Sequence, residues 1–221
     1  MNFVIVHFNT PELTACLCKS IKKFHPSSRI FMFDNSDKIP FKYAPLLCNE
    51  YYDNTAGTLI NFDAELKKYD VDKGVYKLNK CGSAKHCISI QWLLDNLPVD
   101  DCVLLDSDVL LTRAFTWKTM APIVGEHEKF PGQKDRLLPF ICYLNLKEIR
   151  DRKLRYFDAA RMNGLSAPGA PYDTGASFLE DIIVKHVPME RIRCNSFVVH
   201  FKNGSWGTKN AKEWLVANKH C

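Results

Sequence analysis

Apolar runs and stretches of helical spacing alternate along the first part of the chain. Residues 2 to 8 and 29 to 33 are rich in β-branched and aromatic side chains, which predicts two strands. Between them, Thr10 and Pro11 are typical of a helix start. Apolar residues then recur at helical spacing, namely Leu13, Leu17, Ile21 and Phe24. The order strand, helix, strand predicts a βαβ unit and therefore a parallel sheet.

The alternation continues, less regularly, to the end of the chain. Further strands are predicted over residues 51 to 57 (a short strand and loop), 75 to 78, 139 to 144 and 196 to 201. Further helices are predicted over residues 59 to 69, 79 to 96, 146 to 162 and 174 to 183. An amphipathic stretch extends to about residue 124, and a long, lidlike loop is expected over residues 125 to 135. No internal repeat divides the chain, so we expect a single α/β domain.

The most informative run is residues 102 to 111, where Asp106, Ser107 and Asp108 interrupt an otherwise apolar strand. Burying an unpaired carboxylate is costly. We therefore expect the acidic triplet at the carboxyl end of the strand, where open α/β sheets bind ligands. Two carboxylates there suit Mg²⁺ or Mn²⁺, which complete their coordination with water and substrate phosphates. A turn or a helix cap after the strand is the alternative interpretation.

Other polar residues lie where they can line the same edge of the sheet. Asp34 follows the second predicted strand, where a nucleoside-binding sheet often places a group for the ribose or base. A simple turn residue is the alternative for Asp34. Gly82 is near the start of a predicted helix, where backbone N–H groups can approach an anion, and Lys85 or His86 on the first turns can assist.

Composition indicates an ordinary globular protein. The chain has 221 residues, enough for one sizeable domain, and 46% of them are hydrophobic and 25% charged. No apolar run approaches the length of a membrane span, and Met1 leads directly into a strand, so we expect a cytoplasmic protein without a cleaved signal. The nine cysteines are odd in number and form no C-x-x-C pair, which argues against a disulfide framework or a structural zinc site.

The net charge of +5 is concentrated near the carboxyl end. From residue 182 onward there are seven Lys and Arg against two Glu, which accounts for the whole excess. A basic end of this kind suits a nucleoside diphosphate or an anionic membrane surface, so peripheral contact with the inner face of a membrane is a hypothesis. No basic stripe with interleaved aromatic residues is present, so no nucleic-acid partner is expected.

Several separated motifs together resemble the nucleotide-sugar-dependent glycosyltransferases of the GT-A fold. Residues 4 to 12, and residues 34 to 37 at the end of the second strand, are similar to the opening of family 2 enzymes. Asn79, Gly82 and the pair Asp106 and Asp108 look like the helix and the Asp-x-Asp motif that bind the sugar donor and its cation.

The carboxyl-terminal part is more similar to family 8 enzymes. Residues 139 to 150 resemble their segment in which a strand and an Asn lead into a helix. Residues 200 to 204, His-Phe-Lys-Asn-Gly, resemble their late His-x-x-Gly motif for metal and diphosphate, with one extra residue. Lys202 and Lys209 are alternative positions for the lysine that contacts the diphosphate.

The resemblance implies a GT-A, Rossmann-like, mainly parallel sheet flanked by helices. It implies metal-dependent transfer of a sugar from a nucleoside diphosphate donor, with UDP favoured, to a glycan or lipid-linked acceptor. Residues 1 to 111 would form the half that binds the nucleotide sugar, and residues 112 to 221 the acceptor-side half with the metal-binding histidine. The implied donor contacts are Phe8, Asn9, Asp34, Asn79, Gly82, Lys85, Asp106, Ser107 and Lys202. The implied ligands of Mn²⁺ or Mg²⁺ are Asp106, Asp108 and His200.

An inverting transferase also needs a base near the acceptor hydroxyl. Asp173, between a Gly/Pro-rich loop and a predicted helix, is the first choice, and capping of that helix is an equal alternative. Glu180 and Asp181 are weaker choices. Asp108 is the other predicted catalytic residue, and a retaining mechanism would need no separate base.

Two other functions remain open at this stage. Residues 104 to 109 resemble the opening of haloacid-dehalogenase-type phosphatases, but Val109 and Leu110 replace the usual Gly-Thr, and the motif comes a hundred residues into the chain. A catalytically silent module that binds a nucleotide sugar or a glycan would keep the same residues without turnover.

Overall fold

The computed structural model describes residues 1–68, 82–117, 120–129, 131–132, 134–162, 172–193 and 196–201. Within these ranges the strands are β1 Asn2–His7, β2 Arg29–Asp34, β3 Glu50–Asp53, β4 Asp101–Asp106, β5 Val109–Leu111, β6 Ile123–Glu128, β7 Arg136–Asn145, β8 Met189–Arg191 and β9 Val198–His200. The helices are α1 Pro11–Phe24, α2 Ala44–Leu47, α3 Phe62–Lys68, α4 Gly82–Asn96, α5 Leu146–Asp151, α6 Ala159–Met162 and α7 Ala176–Val184.

Of the described strands, seven form one mixed sheet in the order β3-β2-β1-β4-β7-β6-β8. The strands from β3 to β4 are parallel to one another, β7 is antiparallel to both β4 and β6, and β8 is parallel to β6. The strands β5 and β9 form a separate antiparallel pair. The predicted single α/β domain with a mainly parallel sheet flanked by helices is confirmed.

Two apolar layers, one on each face of the sheet, form the core. Along β1, Phe3 and Ile5 join the layer that contains α1, whereas Val4 and Val6 join the layer that contains α4 and α7. All four side chains are at most 5% exposed. Because β1 is buried on both faces, its sequence is a continuous apolar run without alternation.

The predicted helix over residues 146 to 162 is wrong, because α5 and α6 are separate short helices. The first ends near Lys153, which lies in the left-handed region at φ 52°. The segment that follows is neither helix nor strand, and it buries Tyr156 completely. The backbone N–H of Tyr156 donates to Oε1 of Gln91 at 2.7 Å, so packing against α4 outweighs the local helical spacing.

The predicted loop over residues 125 to 135 is also wrong in its first part, because β6 continues through Glu128 and pairs with β7. Gly125 is typical of a loop, but in the structure it lies on β6 where the side chain of Leu137 packs close to its Cα atom. A Cβ atom there would lie 2.6 Å from Cδ1 of Leu137. The short strand β8 was not predicted, and the predicted strand over residues 75 to 78 lies outside the described residues.

The cysteines contribute mainly to the core. Of those that the structure describes, Cys18, Cys48, Cys87, Cys102 and Cys142 form no disulfide bond, and all but Cys48 are buried. Cys16 is disulfide-bonded. In the described part of the chain, none of the helices combines the length and the apolar character needed to span a bilayer.

Candidate metal centre and its surroundings

The acidic motif forms a tight turn between two sheets. The main-sheet strand β4 ends at Asp106, beside Val6 of β1, and β5 of the small sheet begins at Val109. Ser107 and Asp108 form the turn between them and are each 5% exposed. The predicted position of the carboxylates at the carboxyl end of a buried strand is therefore the observed one.

His200 reaches this turn from the last described strand. It is paired with Val109 across the small sheet, and the N–H of Phe201 donates to the carbonyl oxygen of Asp108 at 2.9 Å. Nε2 of His200 lies 3.4 Å from Oδ1 of Asp108, and the ring of Phe140 stacks on the imidazole at a centroid distance of 4.6 Å. One ligand atom each from Asp106, Asp108 and His200 lie within 4.8 Å of one another.

These three residues fit a divalent cation. Oδ1 of Asp106 is buried and makes no hydrogen bond, and the atom that faces it, at 3.3 Å, is Nε2 of His86. Burial and the neighbouring charge of Asp108 raise the pKa of Asp106 to about 8. Two carboxylates and one imidazole form a donor set that suits Mn²⁺ and similar ions.

The helix α4 approaches the turn with its first residues. Nε2 of His86 lies 3.3 Å from Oδ1 of Asp106, and burial lowers the pKa of His86 to about 4. The ammonium group of Lys85 lies 5.6 Å from the ring centroid of Phe62. The sequence suggested both residues only as helpers in anion binding, whereas the structure brings His86 into contact with an acidic residue.

Asp173 lies close to the start of α4, held by three donors. Its Oδ1 accepts hydrogen bonds from the hydroxyl of Ser83 and from the N–H of Thr174, each at 2.7 Å. Its Oδ2 accepts a hydrogen bond from Nη1 of Arg136, whose guanidinium also donates twice to Oε2 of Glu128. The helix α7 begins after the left-handed Gly175, so Asp173 is not its N-cap residue.

Asp34 ends β2 as a fully buried carboxylate. Its Oδ1 accepts the N–H of Ser36 at 2.9 Å, and its Oδ2 accepts the N–H of Phe41 and the hydroxyl of Tyr51, each at 2.6 Å. These bonds fasten the segment after β2 to the edge strand β3. Asp34 therefore stabilises the conformation of the loop that follows β2.

Asn9, which follows β1 at φ 55°, fastens the same segment from the other side. Its side-chain oxygen accepts the N–H groups of Lys38 and Ile39 at 3.0 and 2.9 Å, and its side-chain nitrogen donates to Oδ1 of Asp37 at 2.6 Å. Residues 35 to 39 are therefore held over the carboxyl ends of β1 and β2.

No protein-family model matches the sequence, and no curated protein matches it either. Solved structures do match. Mouse xyloside xylosyltransferase 1 in its apo form is similar at a TM-score of 0.51 and 11% identity, over 88% of this chain and 86% of that chain. The apo-form glycosyltransferase GlyE of Streptococcus pneumoniae is similar at a TM-score of 0.51 and 10% identity, over 88% of this chain and 45% of that chain. The chain has the GT-A fold.

The GT-A fold brings some of the predicted site residues together. Asp106, Ser107, Asp108 and His200 meet at one turn, and Asp173 and Lys85 lie at or beside the first turns of α4. Phe8, Asn9 and Asp34 lie at the ends of β1 and β2. Asn79, Lys202 and Lys209 lie outside the described residues.

Sequence reasoning missed Arg136 and Ser83. Arg136 falls at the border of the predicted loop, and Ser83 is one of several polar residues at a helix start. No local signal marks either residue, because both are brought to Asp173 by the sheet and by α4. Glu128 and Arg136 lie opposite each other on β6 and β7, so their opposite charges could have indicated the ion pair if β6 had been predicted.

Proposed function

We propose that this protein is a glycosyltransferase that moves a sugar from a nucleoside diphosphate donor, UDP-sugar favoured, to a glycan or lipid-linked acceptor. The observation that carries the proposal is the convergence of Asp106, Asp108 and His200 within 4.8 Å at the carboxyl end of β4. The GT-A fold supports it, since both similar structures described above are named as glycosyltransferases. The division into a donor half (residues 1 to 111) and an acceptor-side half (residues 112 to 221) is part of the proposal.

Glycosyl transfer breaks the bond between the anomeric carbon and the diphosphate, so negative charge grows on the leaving group. A bound Mn²⁺ or Mg²⁺ supplies a Lewis acid that stabilises this charge. In the proposal, Asp106, Asp108 and His200 hold the cation, and Asp108 counts as catalytic because it fixes the cation beside the leaving group. Lys85 and Lys202 are proposed to contact the diphosphate, with Asn79, Gly82 and Ser107 beside them.

The nucleoside is proposed to lie near Phe8, Asn9 and Asp34. The side chains of Asn9 and Asp34 already form hydrogen bonds within the protein. Asp34 accepts three hydrogen bonds, and Asn9 accepts two and donates one. Their proposed contribution is therefore to order residues 35 to 39, so that the nucleoside meets a segment of fixed shape.

Asp173 is proposed as the catalytic carboxylate on the acceptor side if the reaction inverts the anomeric centre. Because its oxygens accept from Ser83, Thr174 and Arg136, it would have to release one donor to take the proton of the acceptor hydroxyl. A retaining reaction would need no such base. NMR of the anomeric proton, recorded before the product can mutarotate, shows whether the reaction inverts or retains the configuration. Inversion together with a large rate loss in Asp173→Asn supports Asp173 as the base, whereas retention excludes that role.

The experiment that tests the function measures UDP release from a panel of UDP-sugars, with Mn²⁺, Mg²⁺ or a chelator. We expect cation-dependent release by the wild type and a loss of about 100-fold or more in Asp108→Asn. The matched control is Asp151→Asn, an exposed carboxylate on α5 that pairs with Lys147, and its rate should equal that of the wild type.

Other outcomes of the same assay would contradict the proposal. Binding of a UDP-sugar with an equally low rate in wild type and Asp108→Asn would favour the silent binding module. Release of inorganic phosphate from phosphomonoesters would favour the phosphatase.

Cytoplasmic location and contact with an anionic membrane surface through the basic carboxyl-terminal part are further proposals. The support for the membrane contact is the presence of seven Lys and Arg against two Glu after residue 181. Sedimentation with vesicles that contain phosphatidylserine, at low and high salt, tests the contact. Binding that does not depend on salt or on the anionic lipid would contradict it.

A further inference from the structure

His86 contacts Asp106 from the helix α4, whereas His200 contacts Asp108 from the strand β9. Nε2 of His86 is 3.3 Å from Oδ1 of Asp106, and both atoms are buried without a hydrogen-bond partner. The side chains of His86 and Asp106 are 23% and 16% exposed. The distance between Nε2 and Oδ1 is slightly longer than that of an ordinary N–H···O hydrogen bond, so the two atoms are neighbours that a change in side-chain orientation could pair.

His86 is not a member of the ligand set. Among the described residues, the atoms that lie within 4.8 Å of one another belong to Asp106, Asp108 and His200, and His86 is not in that group. Its backbone is fixed by α4, in which Ala84, Cys87 and Ile88 are buried on the same turns. The helix thus fixes the backbone position from which Nε2 of His86 faces one oxygen of a carboxylate.

We propose that His86 is a positioning residue that donates a hydrogen bond to Asp106 and holds its carboxylate toward the cation. With this hydrogen bond from His86, the carboxylate of Asp106 would keep its orientation when the cation leaves. Loss of such a contact typically weakens metal binding by about 10 to 100-fold. The inference rests on the proposed function, because it needs the cation site formed by Asp106, Asp108 and His200.

The test is the dissociation constant of Mn²⁺, measured from the EPR signal of the free ion in titrations of the purified full chain. We expect His86→Ala and His86→Phe to bind Mn²⁺ about 10 to 100-fold more weakly than the wild type. His86→Phe keeps a ring of similar size without the N–H group, so it remains informative if the alanine variant does not fold. His86→Gln should bind within about threefold of the wild type, because its amide can donate from the same position.

The matched control is Asn96→Ala, which changes a polar residue in the last turn of the same helix. Its dissociation constant should equal that of the wild type. If His86→Gln restores the Mn²⁺ affinity that His86→Ala loses, His86 acts by donating a hydrogen bond. An amide would not restore a role that depends only on the packing of the ring. Equal affinity of wild type and His86→Ala, or a Gln variant as weak as the Ala variant, would overturn the inference alone. A wild type that binds no Mn²⁺ would overturn the metal site of the proposed function together with this inference.

Discussion

The hydroxyl of Tyr51 donates a hydrogen bond of 2.6 Å to Oδ2 of Asp34, a carboxylate with no exposed surface. The same oxygen accepts the N–H of Phe41 at the same distance. One buried charge therefore joins the end of β2, the edge strand β3 and the segment between them. A charge in this setting is stabilised by fixed donors and not by solvent.

Tyr51→Phe should lower the free energy of unfolding by about 1.5 to 3 kcal/mol, because it removes a hydrogen bond to a buried charged group. Tyr52→Phe is the matched control, since the neighbouring hydroxyl donates to Glu50, whose side chain is 32% exposed and can be solvated by water. That variant should lose less than about 1 kcal/mol. Urea unfolding at equal m-values measures both, and equal losses would show that Asp34 has no special dependence on Tyr51.

The elements that the sequence predicted well are those whose signal is local. The first βαβ unit, α4 and β4 each combine an apolar run or a helical period with clear end residues such as Pro11 and Asp106. The pair Asp106 and Asp108 could be placed at a strand end for the same reason. Burial cost alone excludes the middle of the strand.

The parts that were not predicted depend on contacts between distant residues. Asp173 is held by Arg136, 37 positions earlier, and by Ser83, 90 positions earlier. Tyr156 leaves the helical pattern because its backbone binds Gln91, 65 positions earlier. Sequence spacing carries no information about such pairs until the order of strands is known. The contact of His86 with Asp106 was missed for the same reason.

Gly175→Ala should be strongly destabilising. Gly175 has φ +86°, and an added Cβ would lie 1.9 Å from the carbonyl oxygen of Leu137, so backbone strain and a backbone clash add together. We expect a loss of about 3 kcal/mol or more in urea unfolding.

Gly132→Ala is the matched control for this substitution. Gly132 has a similar φ of +76°, but nothing lies within 4 Å of its added Cβ, so only the backbone strain remains. Its loss should be about 1 kcal/mol. Similar losses in the two variants would mean that β7 moves freely away from Gly175.

The stability of the metal-free protein should fall as the pH rises from 6.5 to 8. The folded state raises the pKa of Asp106 from 3.8 to about 8, so it holds a proton that the unfolded chain has lost. The slope should be at most about 1.4 kcal/mol per pH unit. His86, whose pKa burial lowers from 6.5 to about 4, acts with the opposite sign below pH 6.5, which is why the range begins there.

Urea unfolding in the presence of a chelator, at intervals across this pH range, measures the slope. Asp106→Asn should flatten it, because the amide does not titrate. An unchanged slope in the variant would assign the effect to another group. Saturating Mn²⁺ should also remove the decrease of stability with pH, because a bound cation keeps Asp106 in its carboxylate form.

Asp181→Asn should destabilise the fold by about 2 to 3 kcal/mol. Asp181 is a buried carboxylate on α7, 5% exposed, that accepts hydrogen bonds from the N–H of Arg155 at 2.8 Å and from Nζ of Lys185 at 2.9 Å. Asp151→Asn, which removes an exposed pair with Lys147, should lose less than about 0.5 kcal/mol. The midpoints of thermal unfolding of the two variants are compared with that of the wild type. Equal midpoints would mean that the hydrogen bonds of Asp181 to Arg155 and Lys185 do not contribute to stability.

Asp106 and Asp108 are separated by one residue, yet they belong to different sheets. Asp106 ends a strand of the large sheet, whereas Asp108 leads into β5, which pairs with β9 and its His200. A cation shared by the three would be a clasp between the two sheets, so its binding free energy would also hold β9 in place. Removing the ion should therefore speed hydrogen exchange of the backbone amides of β5 and β9 before that of β1 and β4, because the cation would link the small sheet to the large one.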